Sequence, residues 1–250
     1  MFSQRKKIIY FAPHQDDELL TMGIDICCNV QQGHEVHVVL CTDGSKSNMR
    51  KVIANGKSCS KHHGLHQYEL TVEEFIQARD REFMGSCLAL GVRPENIHIA
   101  KNRDIDGSLN QENAEQIIRH YMAQLGKRAL VCTMSYNSGP VQHRDHKTLG
   151  QAVHNLLSQG VIDTAKFFVE PYHHHQMEDT SHLTTTPALP PVTEHLQQAI
   201  ASYSLWKPED GRYAVGYHSV TTEFNDFLKN PRTYWFQESR SLWKRVFKGF

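Results

Sequence analysis

The sequence lacks an excess of either charge: 27 Lys and Arg balance 27 Asp and Glu. A chain without a net field has no electrostatic claim on nucleic acid or on an acidic membrane surface, so charge bears here on solubility and not on function. No CxxC pair occurs among the six cysteines (Cys27, Cys28, Cys41, Cys59, Cys87, Cys132). Four of them fall inside segments that read as strand or helix interior. Reduced cysteine serves there as a small hydrophobe, which suits a cytoplasmic protein. No stretch approaches the roughly 20 apolar residues that span a bilayer. The apolar run after Arg5, Lys6 and Lys7 is too short for a signal-peptide core and stops at Pro13. No internal repeat is found. A glycine-rich G-x-G-x-x-G turn is also missing after the first apolar run, where His and Asp stand in place of the glycines.

What is present is a repeated strand, loop and helix pattern. Residues 7 to 12 form a continuous apolar run, the signature of a strand covered on both faces. A helix from about Leu19 to Gln32, closed by Gly33, leads to a second strand from Glu35 to Thr42, which completes a βαβ unit. Residues 45 to 70 are polar and read as a long surface loop, of the kind that serves as a functional lid or is disordered. An amphipathic helix over Val72 to Leu90 is stopped by Gly91. A short strand near Asn96 to Ala100, a helix from Gln111 to about Leu125, a strand from Ala129 to Met134, a helix from about Arg144 to Ser158 and a strand from Lys166 to Val169 follow. This alternation predicts an α/β fold: a doubly wound, mostly parallel sheet of about five or more strands with helices on both faces. A single domain is expected over residues 1 to 250. Its α/β core runs from about 7 to 170, and an aromatic-rich C-terminal extension from about 171 to 250 packs on it.

The chemistry concentrates at two strand ends. His14-Gln15-Asp16-Asp17-Glu18 follows the first strand directly, and His143-Arg144-Asp145-His146 opens the helix after the Ala129 to Met134 strand. In an open parallel sheet, ligands bind at the carboxyl ends of the strands, so the two segments can face one another. Adjacent carboxylates at the mouth of a buried strand repel each other, and a divalent metal would offset them. His14, Asp17 and His146 make a three-residue ligand set, the arrangement of a catalytic zinc that keeps a position for water. Asp16 is then free to act as general base, His143 to donate to an oxyanion, and Asp145 to hold His143 in its tautomer. That set suits hydrolysis of an amide or ester. Glu18 has no assigned role.

The same residues, in the same order, resemble the PIG-L/LmbE-like de-N-acetylases. The likeness is carried by Ala12-Pro13-His14-Gln15-Asp16-Asp17-Glu18, by Thr42-Asp43-Gly44, by Arg79 to Glu82 ahead of Leu90-Gly91-Val92, and by His143-Arg144-Asp145-His146 followed by Gly150. It covers roughly residues 7 to 170. The resemblance implies a Rossmann-like α/β fold and a hydrolase that uses one Zn2+ per chain, or another divalent metal. Its implied reaction removes acetyl from an N-acetylglucosamine-type amino sugar or its conjugate. Carried over, His14, Asp17 and His146 correspond to metal ligands, Asp16 to the base, His143 with Asp145 behind it to the oxyanion stabiliser or acid, and Arg79 to a substrate contact. The implied partner is a small amino-sugar molecule, with no nucleic acid and no membrane span; a homo-oligomer is compatible with the sequence.

Other readings of the residues stay open. A metal-dependent phosphoesterase would use Asp16, Asp17 and Glu18 to hold magnesium, although His14 and His146 favour zinc. A nucleotide-binding module is weaker, for want of the glycine fingerprint. Turn chemistry accounts for Thr42-Asp43-Gly44. His62, His63 and His66, and again His173 to His175, look like metal sites by composition. No carboxylate or cysteine at a defined spacing is evident beside either run, so they read as exposed polar loops.

Overall fold

Strand β1 (Lys7–Ala12) runs through the middle of the computed structural model, with Ile9, Tyr10, Phe11 and Ala12 fully buried. The structure describes residues 5–139, 142–177 and 179–240. Pro140 and Val141, in the loop before His143, and residues 241–250 of the extension lie outside the described residues. After β1 come two short helices, α1 (Asp17–Leu20) and α2 (Gly23–Gln31), where the apolar spacing predicts one. The break falls where the N–H groups of Thr21 and Met22 both close on the Asp17 carbonyl, at 3.2 and 3.3 Å.

Strand β2 (Glu35–Thr42) returns parallel to β1. The segment expected as an unstructured loop instead holds helix α3 (Met49–Ala54) and a hairpin of strands β3 (Lys57–Cys59) and β4 (Gly64–His66). Three-residue strands are too short for a period-2 pattern to register in the sequence. Helix α4 (Val72–Ala89) starts on a capping box, in which the Thr71 hydroxyl accepts from the Glu74 N–H and the Glu74 carboxylate accepts from the Thr71 N–H. Strand β5 (Ile97–Asp104), helix α5 (Gln111–Leu125), strand β6 (Leu130–Met134), helix α6 (Arg144–Ser158) and strand β7 (Thr164–Val169) complete the alternation. The C-terminal part supplies α7 (Pro171–His174), β8 (Thr184–Pro187), α8 (Val192–Ser204), β9 (Trp206–Lys207), β10 (Arg212–Tyr213), α9 (Val215–Ser219), α10 (Thr221–Lys229) and β11 (Arg232–Ser239).

The main sheet has seven strands in the order β5-β2-β1-β6-β7-β11-β8. The five core strands are parallel, and β11 is antiparallel to both β7 and β8. The extension therefore does more than pack on the core: it adds two strands to the sheet. Alternate residues of β1 divide the hydrophobic interior. Ile8, Tyr10 and Ala12 join α2, α4 and α8 on one face, and Ile9 and Phe11 join α5 and α6 on the other. Strand order runs outward in one direction from β1 through β2 to β5 and in the other from β6 to β7. The switch point thus lies between β1 and β6, where a doubly wound sheet opens a ligand crevice. His14 follows one of these two strands and His143 to His146 follow the other. Helix α6 can seat closely against β6 because Gly150 has no side chain: a Cβ there would lie 2.6 Å from the Tyr136 nitrogen and 2.7 Å from the Met134 oxygen.

Candidate metal centre and catalytic pocket

Three donor atoms meet at the switch point. His14 Nδ1 lies 3.1 Å from His146 Nε2 and 3.4 Å from Asp17 Oδ2, and His146 Nε2 lies 3.2 Å from the same Asp17 oxygen. All three residues are buried. A four-coordinate zinc with bonds of about 2.0–2.2 Å holds neighbouring donors about 3.3–3.6 Å apart, so these atoms stand within about 0.2 Å of three corners of such a site. The Asp17 carboxylate is further fixed by the His14 N–H, which donates to Oδ2 at 2.9 Å.

Carboxylates surround the two imidazoles. His14 Nε2 faces Asp145 Oδ2 at 3.1 Å and Asp106 Oδ1 at 3.2 Å, while His146 Nδ1 faces Glu170 Oε2 at 3.0 Å. Burial opposes charge on His14, but Asp106, Asp145 and Asp17 outweigh it and hold the imidazole well above its usual range. Burial likewise opposes charge on His146, and Asp17 and Glu170 raise it to about 10. Against its own burial, Asp17 is lowered by His146 and His14. Four carboxylates thus hold two positive charges on the imidazoles, the charge a divalent ion would supply in place of the two protons. The nitrogen, nitrogen and oxygen donor set fits zinc.

Asp16 occupies an unusual backbone position. Its φ of 107° places a non-glycine residue in the left-handed region at the start of α1, a strain that persists only where the surroundings enforce it. Glu18, to which the sequence assigns no role, is part of the enforcement. It is fully buried, its Oε2 accepts from the Asp16 N–H at 3.0 Å, and its Oε1 accepts from the Tyr203 hydroxyl at 2.8 Å. Arg79 is the other part. Its guanidinium donates to the carbonyls of Gln15 (2.9 Å) and Gly44 (3.1 Å) and lies 3.6 Å from Asp16 Oδ2. Gly44 allows this approach, since a Cβ there would fall 2.8 Å from Arg79 Nη1. Arg79 is thereby committed to the turn that carries Asp16, and it also borders the cavity. Burial and the neighbouring Asp17 raise Asp16 to about 7, against the pull of Arg79, His14 and His146.

His143 stands exposed at the rim, its ring 4.6 Å from that of His14 and edge-on to it. The expectation that the Asp145 carboxylate sets its tautomer is not what the structure displays. That carboxylate is turned to His14 and to the N–H groups of Gly107 (2.7 Å) and Leu109 (3.1 Å). The Asp145 N–H is what donates to His143 Nδ1, at 3.2 Å, so the proton of the neutral ring sits on Nε2. Desolvation, with repulsion from His14 and His146, lowers the His143 pKa.

Asp106 and Glu170 were not singled out from sequence. Both sit at or beyond the carboxyl end of a parallel strand, β5 and β7, and that position was the available signal. Asp43 Oδ1 accepts from the N–H groups of Ser45 (2.9 Å) and Asp106 (3.0 Å), so its turn positions Asp106. His173 Nδ1 meets Glu170 Oε2 at 2.7 Å, whereas His174 stacks on Tyr234. His14, Asp16, Asp17, Asp106, His143, His146 and Glu170 line a cavity of about 1050 Å³, which Ser219, Thr222 and Asp226 also border.

The class is that of an α/β protein with a doubly wound, mostly parallel sheet and a candidate metal site of histidine and aspartate donors at its switch point. Residues 9–157 match the family model of the PIG-L, GlcNAc-PI de-N-acetylases, and the chain belongs to this deacetylase family. Among solved structures, it is similar to the pseudoaglycone deacetylase Dbv21 (15% identity, 95% of this chain and 99% of that one, TM-score 0.63). It is also similar to the N,N'-diacetylchitobiose deacetylase from Pyrococcus horikoshii (15%, 97% and 87%, 0.59). A third is a zinc inhibited form of the teicoplanin deacetylase Orf2 (11%, 94% and 98%, 0.60). At such identities these likenesses concern the fold. No curated protein matches the chain. Among the described residues, no helix is long and apolar enough to cross a membrane.

Proposed function

We propose that the protein is a zinc-dependent hydrolase that removes the acetyl group from an N-acetylglucosamine-type amino sugar or its conjugate. One observation carries the reading: His14 Nδ1, Asp17 Oδ2 and His146 Nε2 converge at zinc-ligand spacing beside an aspartate with a pKa near 7. A zinc ion held by His14, Asp17 and His146 would supply a Lewis acid and lower the pKa of water toward about 7. Asp16 takes the proton from the attacking water, and its raised pKa suits a base working near neutrality. His143, with its proton on Nε2 at the rim, donates to the oxygen of the tetrahedral intermediate. Asp16 passes that proton to the departing nitrogen as the C–N bond breaks, which yields acetate and a free amine and restores the carboxylate. Asp145 and Asp106 orient His14, Glu170 orients His146, and Arg79 holds the Asp16 turn.

The cavity is at the upper end of the ~300–1,000 Å³ usual for small-molecule sites, which leaves room for an aglycone beside one sugar. The six cysteines are all free, as suits a reducing compartment. The test is to assay metal content and acetate release from a panel of N-acetylglucosaminides with the wild type and with Asp17→Ala. The wild type should hold zinc and deacetylate at least one member, and Asp17→Ala should lose the zinc of the switch-point centre together with the activity. Wild-type metal content in the variant would remove the ligand assignment.

A further inference from the structure

The β3–β4 hairpin carries a second set of metal-type donors, far in sequence from the first. Cys59 ends β3, His62 lies in the turn, His66 ends β4, and His218 reaches them from α9. One donor atom from each lies within 4.8 Å of all the others. Cys59 Sγ is 3.3 Å from His62 Nδ1, and His66 Nδ1 is 2.8 Å from His218 Nε2. Cys59, His66 and His218 are buried, at 5%, 2% and 5% exposure. The other ring nitrogen of His66, Nε2, is buried with no hydrogen-bond partner among the described residues, although the ring is clamped 3.5 Å from Trp206. Unsatisfied buried polar atoms are uncommon and call for a missing partner.

The hairpin itself needs a staple. Its strands are three residues each, they form a separate two-stranded sheet, and Leu65 between the two histidines is 66% exposed. An isolated pair of such strands is marginal in water. We propose that Cys59, His62, His66 and His218 bind a structural zinc ion that clips the hairpin to α9. Four nitrogen and sulfur donors with no carboxylate among them form a closed set, unlike the three-ligand centre at the switch point. This corrects the reading of the 62–66 histidines as an exposed polar loop without a companion cysteine: Cys59-x2-His62-x3-His66 supplies three donors in sequence, two of them buried, and the fourth comes from His218, 152 residues beyond His66. The consequence reaches the catalytic cavity: Ser219, next to His218, meets Ser47 at 3.2 Å, and both line it. The clip would therefore fix one wall of the pocket.

The test uses the full-length protein. Elemental analysis should find two zinc ions per wild-type chain, and one in each of Cys59→Ser, His62→Ala and Asp17→Ala. Substitution with cobalt(II) separates the sites, because only a site with a thiolate gives a near-ultraviolet sulfur-to-cobalt charge-transfer band. The band should appear in the wild type and in Asp17→Ala and vanish in Cys59→Ser. His62→Ala removes the least buried donor and serves as the second variant should Cys59→Ser not fold. A single wild-type zinc that disappears with Asp17→Ala but not with His62→Ala overturns the proposal, as does a cobalt–sulfur band that survives Cys59→Ser.

Discussion

Glu170 Oε2 lies 3.0 Å from His146 Nδ1, so the opposite nitrogen of the ring, Nε2, is left facing Asp17. The carboxylate fixes which nitrogen is available to a metal. Glu170→Ala is expected to lower zinc affinity by about 10–100-fold, the usual cost of losing an outer partner of a ligating histidine. Titration against a competing chelator measures it, and unchanged affinity would remove Glu170 from the site.

Asp16→Asn should retain zinc and fold while losing about 10²-fold or more of the deacetylation rate, the scale of general-base catalysis. Full activity in this variant contradicts the assignment.

Asp145 and His143 are neighbours with separate tasks. Because the Asp145 carboxylate holds His14, Asp145→Asn is expected to weaken zinc binding, whereas His143→Ala should leave zinc content unchanged and reduce turnover. Equal zinc content in the two variants would place Asp145 behind His143 after all.

Gly150→Ala should destabilise the fold by about 1–3 kcal/mol, since the added methyl meets backbone atoms of Met134 and Tyr136 that cannot rotate away. Denaturant midpoints give the value. Zinc affinity should fall as well, because α6 carries His146.

His98 gives a pH signature away from the pocket. Its Nε2 lies 3.1 Å from His37 Nδ1, and burial, with His37, pushes it down to about 4 from 6.5. The unfolded chain therefore takes up a proton that the folded chain refuses. Stability associated with His98 is complete above about pH 6.5 and is lost as pH falls toward 4. Melting temperatures of wild type and His98→Gln should converge over that interval, and parallel profiles would refute the effect.

The sequence by itself carried much of the candidate site. The apolar run into His14, Asp16 and Asp17, and the helix start at His143 to His146, are local patterns, and local patterns fix strands, turns and helix starts. The parallel core was legible for the same reason. What was not legible depended on distant pairing. Glu170 and Asp106 become neighbours of the histidines only because β7 and β5 end at the same edge of the sheet as β1 and β6. Glu18 gains its partner from Tyr203, and His66 from His218. The direction of the Asp145 carboxylate could not be read from its position next to Arg144, because two loop N–H groups and His14 compete for it. Residue type and local period decided which chemistry the chain holds. Sheet order and burial decided which groups face one another, since hydrogen bonds and charges act over a few ångströms of space, whatever the distance along the chain.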